Sequence, residues 1–363
     1  MNNSRKTLVI LTPGFAENEA DTTCLPAIQM MIKSINQVAP ALNVTVLAFH
    51  YPFFTATYQW HNNTVICLGE KTPPRKLRLL WSWGNVWRRL KMLTKTNEVT
   101  GMISCFCTEA ALVGKYFCSF YNIKHFTWIL GQDASASNKL VRFIRPDAES
   151  LVAMSDFQVR EFYRSHHIRP RHVIPNGINT RSFPEAAGII DIDIIGVGNL
   201  IPLKQYHIFI EVISAVKQYY PGIRVAHCGK GIEAENIKSL VEKLGLQNNV
   251  HLYGEVSHQA ALELMQRSRI LLHTSAYEGF GGVMIEALYA GAQVISFCRP
   301  MDADIPNWHI VPDKEAMIRK TLELLQQPLE ERVPVLPYDM QDSARAFLQL
   351  FGYSEATLSD NLA

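Results

Sequence analysis

The feature that most limits what this chain can fold into is a recurring alternation of short β-branched runs with helix-length apolar segments. Thr7-Leu8-Val9-Ile10-Leu11-Thr12 stops at Pro13-Gly14, and a polar turn then leads into an apolar stretch of helical spacing from Leu25 to Ile35. Val44–Phe49, Gly101–Phe106, Thr127–Leu130 and Leu151–Met154 follow as strand candidates, separated by helix-length segments. Past the Asn176-Gly177 turn and a loose stretch to Gly188, the pattern restarts with the strand Asp193–Gly198. From there strands at 224–228, 250–253, 270–274 and 293–297 alternate with helices at 206–219, 233–244, 259–267 and 283–290. A chain patterned this way builds parallel, doubly wound sheets.

At 363 residues it is long enough for two such domains, each with its own core. The boundary falls in the loose stretch near 178–188, which gives a first domain over 1–180 and a second over 181–337. The tail 338–363 carries one amphipathic segment, Ser343–Phe351, with the pattern of a helix that packs back on the first domain. A hydrophobic content of 48% against 19% charged residues fits a globular protein and sets disorder aside. The net charge of +2 provides no chain-wide field for nucleic acid, so a charged partner has to be met by a local cluster. Seven scattered cysteines, an odd number without a C-x-x-C pair, fit thiols that stay reduced. Residues 1–6 lead straight into a strand, and no run of about 18 apolar residues follows anywhere. The expectation is therefore a cytoplasmic chain.

The segment richest in chemistry is Ser275-Ala276-Tyr277-Glu278-Gly279-Phe280-Gly281-Gly282-Val283-Met284-Ile285-Glu286. A helix opening near Gly282 directs free N–H groups and the positive end of its dipole at the carboxyl ends of the strands, where a diphosphate is stabilised. Glycines at 279, 281 and 282 let backbone approach a ligand closely. Glu286, one turn into the helix, can accept hydrogen bonds from ribose hydroxyls, while Glu278 in the loop reaches an attached sugar. Read alone, the same loop equally well does no more than turn tightly, with both carboxylates solvated.

This segment resembles the E-x7-E signature of family 4 glycosyltransferases, in its EGFG…EA form. The resemblance implies an α/β chain of GT-B fold, with two Rossmann-like domains facing across a cleft. It further implies sugar transfer with retention of configuration, from a nucleoside-diphosphate sugar to a glycan or lipid-linked acceptor, without a metal or other cofactor. Gly196-Val197-Gly198-Asn199-Leu200-Ile201-Pro202-Leu203-Lys204-Gln205 resembles the family's G-R-L-x-x-x-K-G loop, whose cations neutralise the departing diphosphate. Lys204 matches; Asn199 stands where that motif has Arg, so one charge is missing.

The resemblance extends to Gly229 and Gly231 in a G-x-G turn beside the nucleotide, and to Tyr253 in the strand and loop near the base. Val173–Asn179 resembles the family's inter-domain segment. By the same analogy Gly198, Asn199, Phe280, Gly281, Gly282, Val283 and Glu286 bind the donor, and Glu278 and Lys204 are catalytic. On the acceptor side Gly14 takes the place of the N-terminal glycine loop. Gln132 and Asp133 lie in a loop that often faces the acceptor, although the family's histidine is absent there. UDP- or GDP-linked sugars are the expected donors. A nucleotide-sugar 2-epimerase and a catalytically silent nucleotide-sugar-binding scaffold are the competing readings on the same architecture.

Two Asp-x-Asp triplets, 191–193 and 302–304, offer oxygen ligands of the kind divalent metals take, but one opens a strand and the other lies past the main motif. Neither is read as a metal site. The stretch 71–92 gathers seven cations and three tryptophans without an acid. It has the composition of an interfacial helix on an anionic membrane, which would place the protein peripherally on the inner face. Its alternative is a helix whose Trp and Leu pack on the first domain.

Overall fold

The computed structural model describes residues 6–69, 76–185, 188–328 and 333–354, with backbone alone over 76–82. The chain divides into two compact units, Met1–Gly177 with Met340–Ala363, and Ile178–Asp339.

Unit 1 opens with β1 (Lys6–Gly14), α1 (Pro26–Val38) and β2 (Asn43–Tyr51), followed by β3 (Thr55–Trp60) and β4 (Asn63–Leu68). It continues through α2 (Lys76–Thr96), β5 (Glu98–Cys105), α3 (Glu109–Tyr121), β6 (His125–Trp128), α4 (Val141–Ile144), β7 (Leu151–Ala153), α5 (Asp156–His166) and β8 (His172–Val173). Among the described residues these strands form one sheet in the order β3-β4-β2-β1-β5-β6-β7-β8. The wholly parallel sheet read from the sequence is corrected at one edge. There β3 runs antiparallel to β4 across a tight turn in which His61 takes a positive φ of 48°. An alternating exposed pattern such as Thr-Ala-Thr-Tyr-Gln-Trp suits an edge strand with one solvated face.

Unit 2 restarts with β9 (Ile192–Val197), α6 (Tyr206–Lys217), β10 (Val225–Cys228), α7 (Ala234–Lys243) and β11 (Val250–Gly254). After it come α8 (His258–Gln266), β12 (Ser268–His273), α9 (Gly282–Tyr289), β13 (Gln293–Ser296), β14 (Trp308–Ile310) and α10 (Lys314–Gln326). All of its strand pairs are parallel, in the order β11-β10-β9-β12-β13-β14. This is the doubly wound order that reverses between the first and fourth strands, here β9 and β12.

Successive β9 residues feed opposite layers, as a period of two requires. Ile194 packs with Phe209, Ile213 and Val241, while Ile195 packs with Leu262, Met284 and Leu288. Each fully buried Ile contributes roughly 1.5–3 kcal/mol of transfer free energy, so the strand that carries the candidate site is held from both faces. Side-chain caps fix the starts of α8 and α10, where Ser257 accepts from the Ala260 amide at 3.2 Å and Asp313 from the Ala316 amide at 2.8 Å.

The chain then returns to unit 1 as α11 (Met340–Leu350), which packs on α1. Phe347 stacks edge-on against Trp128 at 5.1 Å, and Phe351 against Phe126 at 5.2 Å. A Cβ at Gly101 would meet the Phe351 ring at 2.1 Å, so the bare backbone of β5 is what admits this tail. Of the basic stretch 71–92, residues 71–75 lie outside the described residues, and the remainder belongs to α2. Trp87 packs edge-on against Phe117 at 4.9 Å, while Arg88 and Lys91 are exposed.

Candidate active site

Ligands of doubly wound sheets bind beyond the carboxyl ends of the strands where the strand order reverses. In unit 2 that position is flanked by the loops after β9 and β12, and those loops carry Lys204 and Glu278. Pro202–Lys204 forms a single 3-10 turn, closed by Gln205 in the left-handed region (φ 50°). The Ala276 amide donates to the Leu203 carbonyl at 3.0 Å and the Thr274 hydroxyl to the Lys204 carbonyl at 2.9 Å, so the two loops are stitched together through the backbone carbonyls of the first. Their side chains then meet: Lys204 Nζ lies 2.6 Å from Glu278 Oε2, both largely shielded from solvent.

Glycine is required where the neighbouring loops close in. Gly229 has φ of +145°, and a Cβ there would stand 1.9 Å from the Gly198 carbonyl oxygen; at Gly231 it would stand 2.1 Å from that of Leu200. The Leu200 amide donates to the Lys230 carbonyl at 2.9 Å, and the Gly229 amide to the Gly254 carbonyl at 2.7 Å. Gly198, Gly229 and Gly231 thus lie together, with Asn199 exposed between them. Asn199 carries no charge, and Lys204 is the cation nearest in sequence. Tyr253, on β11, is 40% exposed and stands edge-on to His251 at 4.2 Å.

The helix α9 begins at Gly282, with Gly281, in the left-handed region (φ 80°), as a cap residue that supplies no side-chain hydrogen bond to the first turn. Its opening amides at Gly282 and Val283 therefore carry the positive end of the dipole without a capping carboxylate. A Cβ at Gly281 would overlap the Met284 methyl at 1.9 Å. Phe280, read from the sequence as a donor contact, is 4% exposed and stacks near Tyr338 at 5.9 Å, so it packs the base of the loop.

Two histidines that belong to no motif contact the two carboxylates. His258 Nε2 lies 2.8 Å from Glu286 Oε1, and this hydrogen bond raises the histidine's pKa above its ordinary value. His273, at the end of β12 and 2% exposed, places Nε2 3.5 Å from Glu278 Oε2. Burial, and then the Lys204 ammonium, push its imidazole down to about 3, so it stays neutral at physiological pH. A single histidine in a chain gives no spacing signal; only the fold shows that these two meet the carboxylates.

Both Asp-x-Asp triplets are engaged by arginines. Asp191 holds Arg267 at 2.8 and 2.5 Å, Asp193 holds Arg224, and Asp304 holds Arg299 at 2.6 Å. No cluster of three metal-ligating side chains occurs among the described residues.

In unit 1 the expected acceptor-side residues are carried apart, Gly14 at the end of β1 and Gln132 and Asp133 after β6, with β5 between those strands. Gly14 is buried, and its carbonyl accepts from the Thr12 hydroxyl at 2.8 Å. Gln132 is exposed. Asp133 is turned inward: its carboxylate accepts from the amides of Cys107 (2.8 Å), Gly131 (2.8 Å) and Leu130 (3.2 Å). Burial raises its pKa against the pull of those amides. The aspartate fixes the loop that presents Gln132.

Residues 187–332, nearly all of unit 2, match the family model described as glycosyl transferases group 1. The gpi3 subunit of phosphatidylinositol N-acetylglucosaminyltransferase from Schizosaccharomyces pombe is 29% identical over 165 residues, 44% of this chain and 36% of that protein. The corresponding phosphatidylinositol N-acetylglucosaminyltransferase subunit from Arabidopsis thaliana is 25% identical over 209 residues, 55% of this chain and 45% of that protein. The match thus spans less than half the length of these relatives. Among solved structures, a sucrose-phosphate synthase from Thermosynechococcus elongatus superposes with a TM-score of 0.68 at 16% identity, over 98% of this chain and 97% of that one. A glycosyltransferase from Rickettsia africae gives 0.66 at 15%, over 99% and 97%. Such identities show the fold, which is GT-B. The whole chain thus shares the GT-B fold, and unit 2 is similar in sequence to the group 1 glycosyl transferases.

Proposed function

We propose that the protein transfers a sugar, with retention of configuration, from a nucleoside diphosphate to a lipid-linked acceptor or a glycan, and that unit 2 holds the donor. The observation that carries this reading is the Lys204–Glu278 pair at 2.6 Å, set at the reversal of strand order beside the uncapped end of α9. A cation and a carboxylate that neutralise each other are both displaced usefully by a donor. The diphosphate takes Lys204 and the amides of Gly282 and Val283, and the sugar hydroxyls take Glu278. Glu286 then accepts from the ribose, exchanging its bond to His258 for one to the ligand. Asn199 and the Gly198, Gly229 and Gly231 backbone line the phosphates, and Tyr253 lies toward the base.

On this reading the main catalytic contribution is stabilisation of charge on the departing phosphate by Lys204 and the helix amides. A protein nucleophile and a metal are not needed. Relatives named for N-acetylglucosaminyl transfer make that sugar the first donor to try, on UDP or GDP. The phosphatidylinositol in their names supports a lipid acceptor, which the basic face of α2 would bring within reach by resting on an anionic membrane inner face. No helix among the described residues is long and apolar enough to cross a membrane.

The test is thermal-shift screening against UDP-, GDP- and ADP-linked sugars, followed by transfer of labelled sugar to lipid extracts. One nucleotide sugar should raise the melting temperature, and Glu286→Ala should remove that rise. A protein indifferent to every nucleotide sugar would overturn the assignment.

A further inference from the structure

Unit 1 holds a cavity of about 520 Å³ that the donor chemistry does not use. It lies between α2, α3 and α4 and is lined by Trp83, Trp87, Leu112, Val113, Leu140 and Phe143, almost without polar surface. The volume falls within the roughly 300–1,000 Å³ of small-molecule sites, which commonly add a few placed polar groups to an apolar wall. Here the wall has nearly none, so the ligand portion it fits is hydrocarbon.

Around the cavity large aromatic surface is left in water: Phe143 is 65% exposed, Tyr116 50% and Phe120 74%. Patches of this kind mark binding surfaces. Cations stand directly beside the lining residues in sequence, Arg88 after Trp87, Lys139 before Leu140 and Arg142 before Phe143, all three exposed. No acidic residue adjoins any lining residue in the sequence. An apolar hollow whose walls are flanked in sequence by exposed cations is complementary to one molecule class, a hydrocarbon chain ending in an anionic headgroup.

The cavity is also tied to the loop after β6. The Leu140 amide donates to Asn138 Oδ1 at 3.2 Å, and Asn138 Nδ2 donates to the carbonyls of Cys107 (2.7 Å) and Asp133 (2.9 Å). One wall of the hollow and the turn presenting Gln132 are thus parts of a single hydrogen-bonded assembly at the carboxyl end of the sheet. We infer that this cavity is a lipid-chain site, which takes one hydrocarbon chain of an anionic lipid and leaves its headgroup among those exposed cations beside the β6 loop. The inference stands on unit 1 alone, and its test reads binding without donor or transfer, so its failure leaves the donor assignment intact.

The experiment titrates the whole protein with single-chain lysophosphatidic acids of increasing length, kept below their micelle concentrations, and follows binding by calorimetry. Glycerol phosphate serves as the headgroup control. Affinity should rise by about fourfold for each added methylene until the cavity is full, and then level off. Val113→Trp, which fills the hollow, should lower affinity for the longest chain more than tenfold, with Leu140→Phe as a second, smaller filling in case the first disturbs folding. Arg142→Gln should lower affinity for every chain length by the same few-fold factor. Affinity independent of chain length, glycerol phosphate binding as tightly as the lipids, or folded cavity-filling variants that bind like the parent would each overturn the proposal.

Discussion

The two units place their polar groups at the carboxyl ends of similar sheets in opposite ways. In unit 2 the strand-end side chains bind one another: Lys204 to Glu278, His258 to Glu286. In unit 1 the corresponding acid, Asp133, is buried and bound to three backbone amides. A side chain paired with another side chain can exchange its partner for a ligand at small cost, whereas one that satisfies buried amides cannot leave without orphaning them. The first arrangement is fit for binding and the second for holding a loop in shape.

The largest effects test that contrast directly. Lys204→Ala should slow transfer by about 10²–10³-fold, the loss typical of one transition-state charge contact, in a protein that still folds. Asp133→Ala should do the reverse, lowering stability by about 2–3 kcal/mol because three amides lose their acceptor. If Asp133→Ala instead kept full stability and lost transfer, the contrast would collapse and the aspartate would belong with the reacting groups.

Gly229→Ala comes next. Its φ of +145° and the Gly198 oxygen at 1.9 Å make any side chain strained there, at a cost of roughly 1–3 kcal/mol, and donor-induced thermal shifts should vanish. Gly101→Ala in unit 1 meets only the edge of the Phe351 ring, which can move, so it should cost less and leave the donor shift intact.

Acid should separate the units further. His227 and His273 in unit 2 are pushed down by burial to about 4 and about 3, and His125 in unit 1 to about 3. Each is neutral when folded and titrates near 6.5 when unfolded, so its stabilisation is complete above pH 6.5 and falls as pH drops toward the folded pKa. The slope is at most about 1.4 kcal/mol per pH unit for each histidine. Denaturant midpoints of His227→Gln and His273→Gln, measured from pH 7 down to 5, should lose part of that slope.

The smallest effect concerns His258, whose folded pKa is raised by Glu286. Its protonated pair with Glu286 is fully formed below pH 6.5 and is lost as pH climbs through the raised value. Donor affinity should therefore rise a few-fold across that window in the parent and stay flat in His258→Gln, as direct titration would show.

How far the molecule is legible in its sequence follows from where its signals lie. β9 and β12 announce themselves by their apolar centres, Ile194-Ile195 and Ile270-Leu271-Leu272, because both faces of a central parallel strand are covered. The start of α9 is written in Gly281-Gly282. By contrast β3 has a half-polar alternation and β14 is only Trp308–Ile310, so neither rises above a loop in pattern. The helix α10 is hidden because its apolar positions are interrupted by charged ones along one solvated face. At the site, Lys204, Glu278 and Glu286 are legible from motif spacing. His258 and His273 are not, since what matters about them is a neighbour 28 residues away in one case and burial in the other. Nor does the sequence distinguish an aspartate that faces solvent from one that, like Asp133, accepts from its own loop.

The return of the chain as α11 has a consequence for how the protein is made. Unit 2 is an insertion, since the chain passes into it after Gly177 and comes back at Met340, and Ile178 bridges Asp339 at its base. A ribosome therefore completes the whole of unit 2 before it supplies the helix that covers α1 and leads into the Phe351 ring over Gly101. Unit 2 can close its core while still tethered, whereas unit 1 must wait with Trp128 and Phe126 uncovered, and is the part most in need of a chaperone during synthesis.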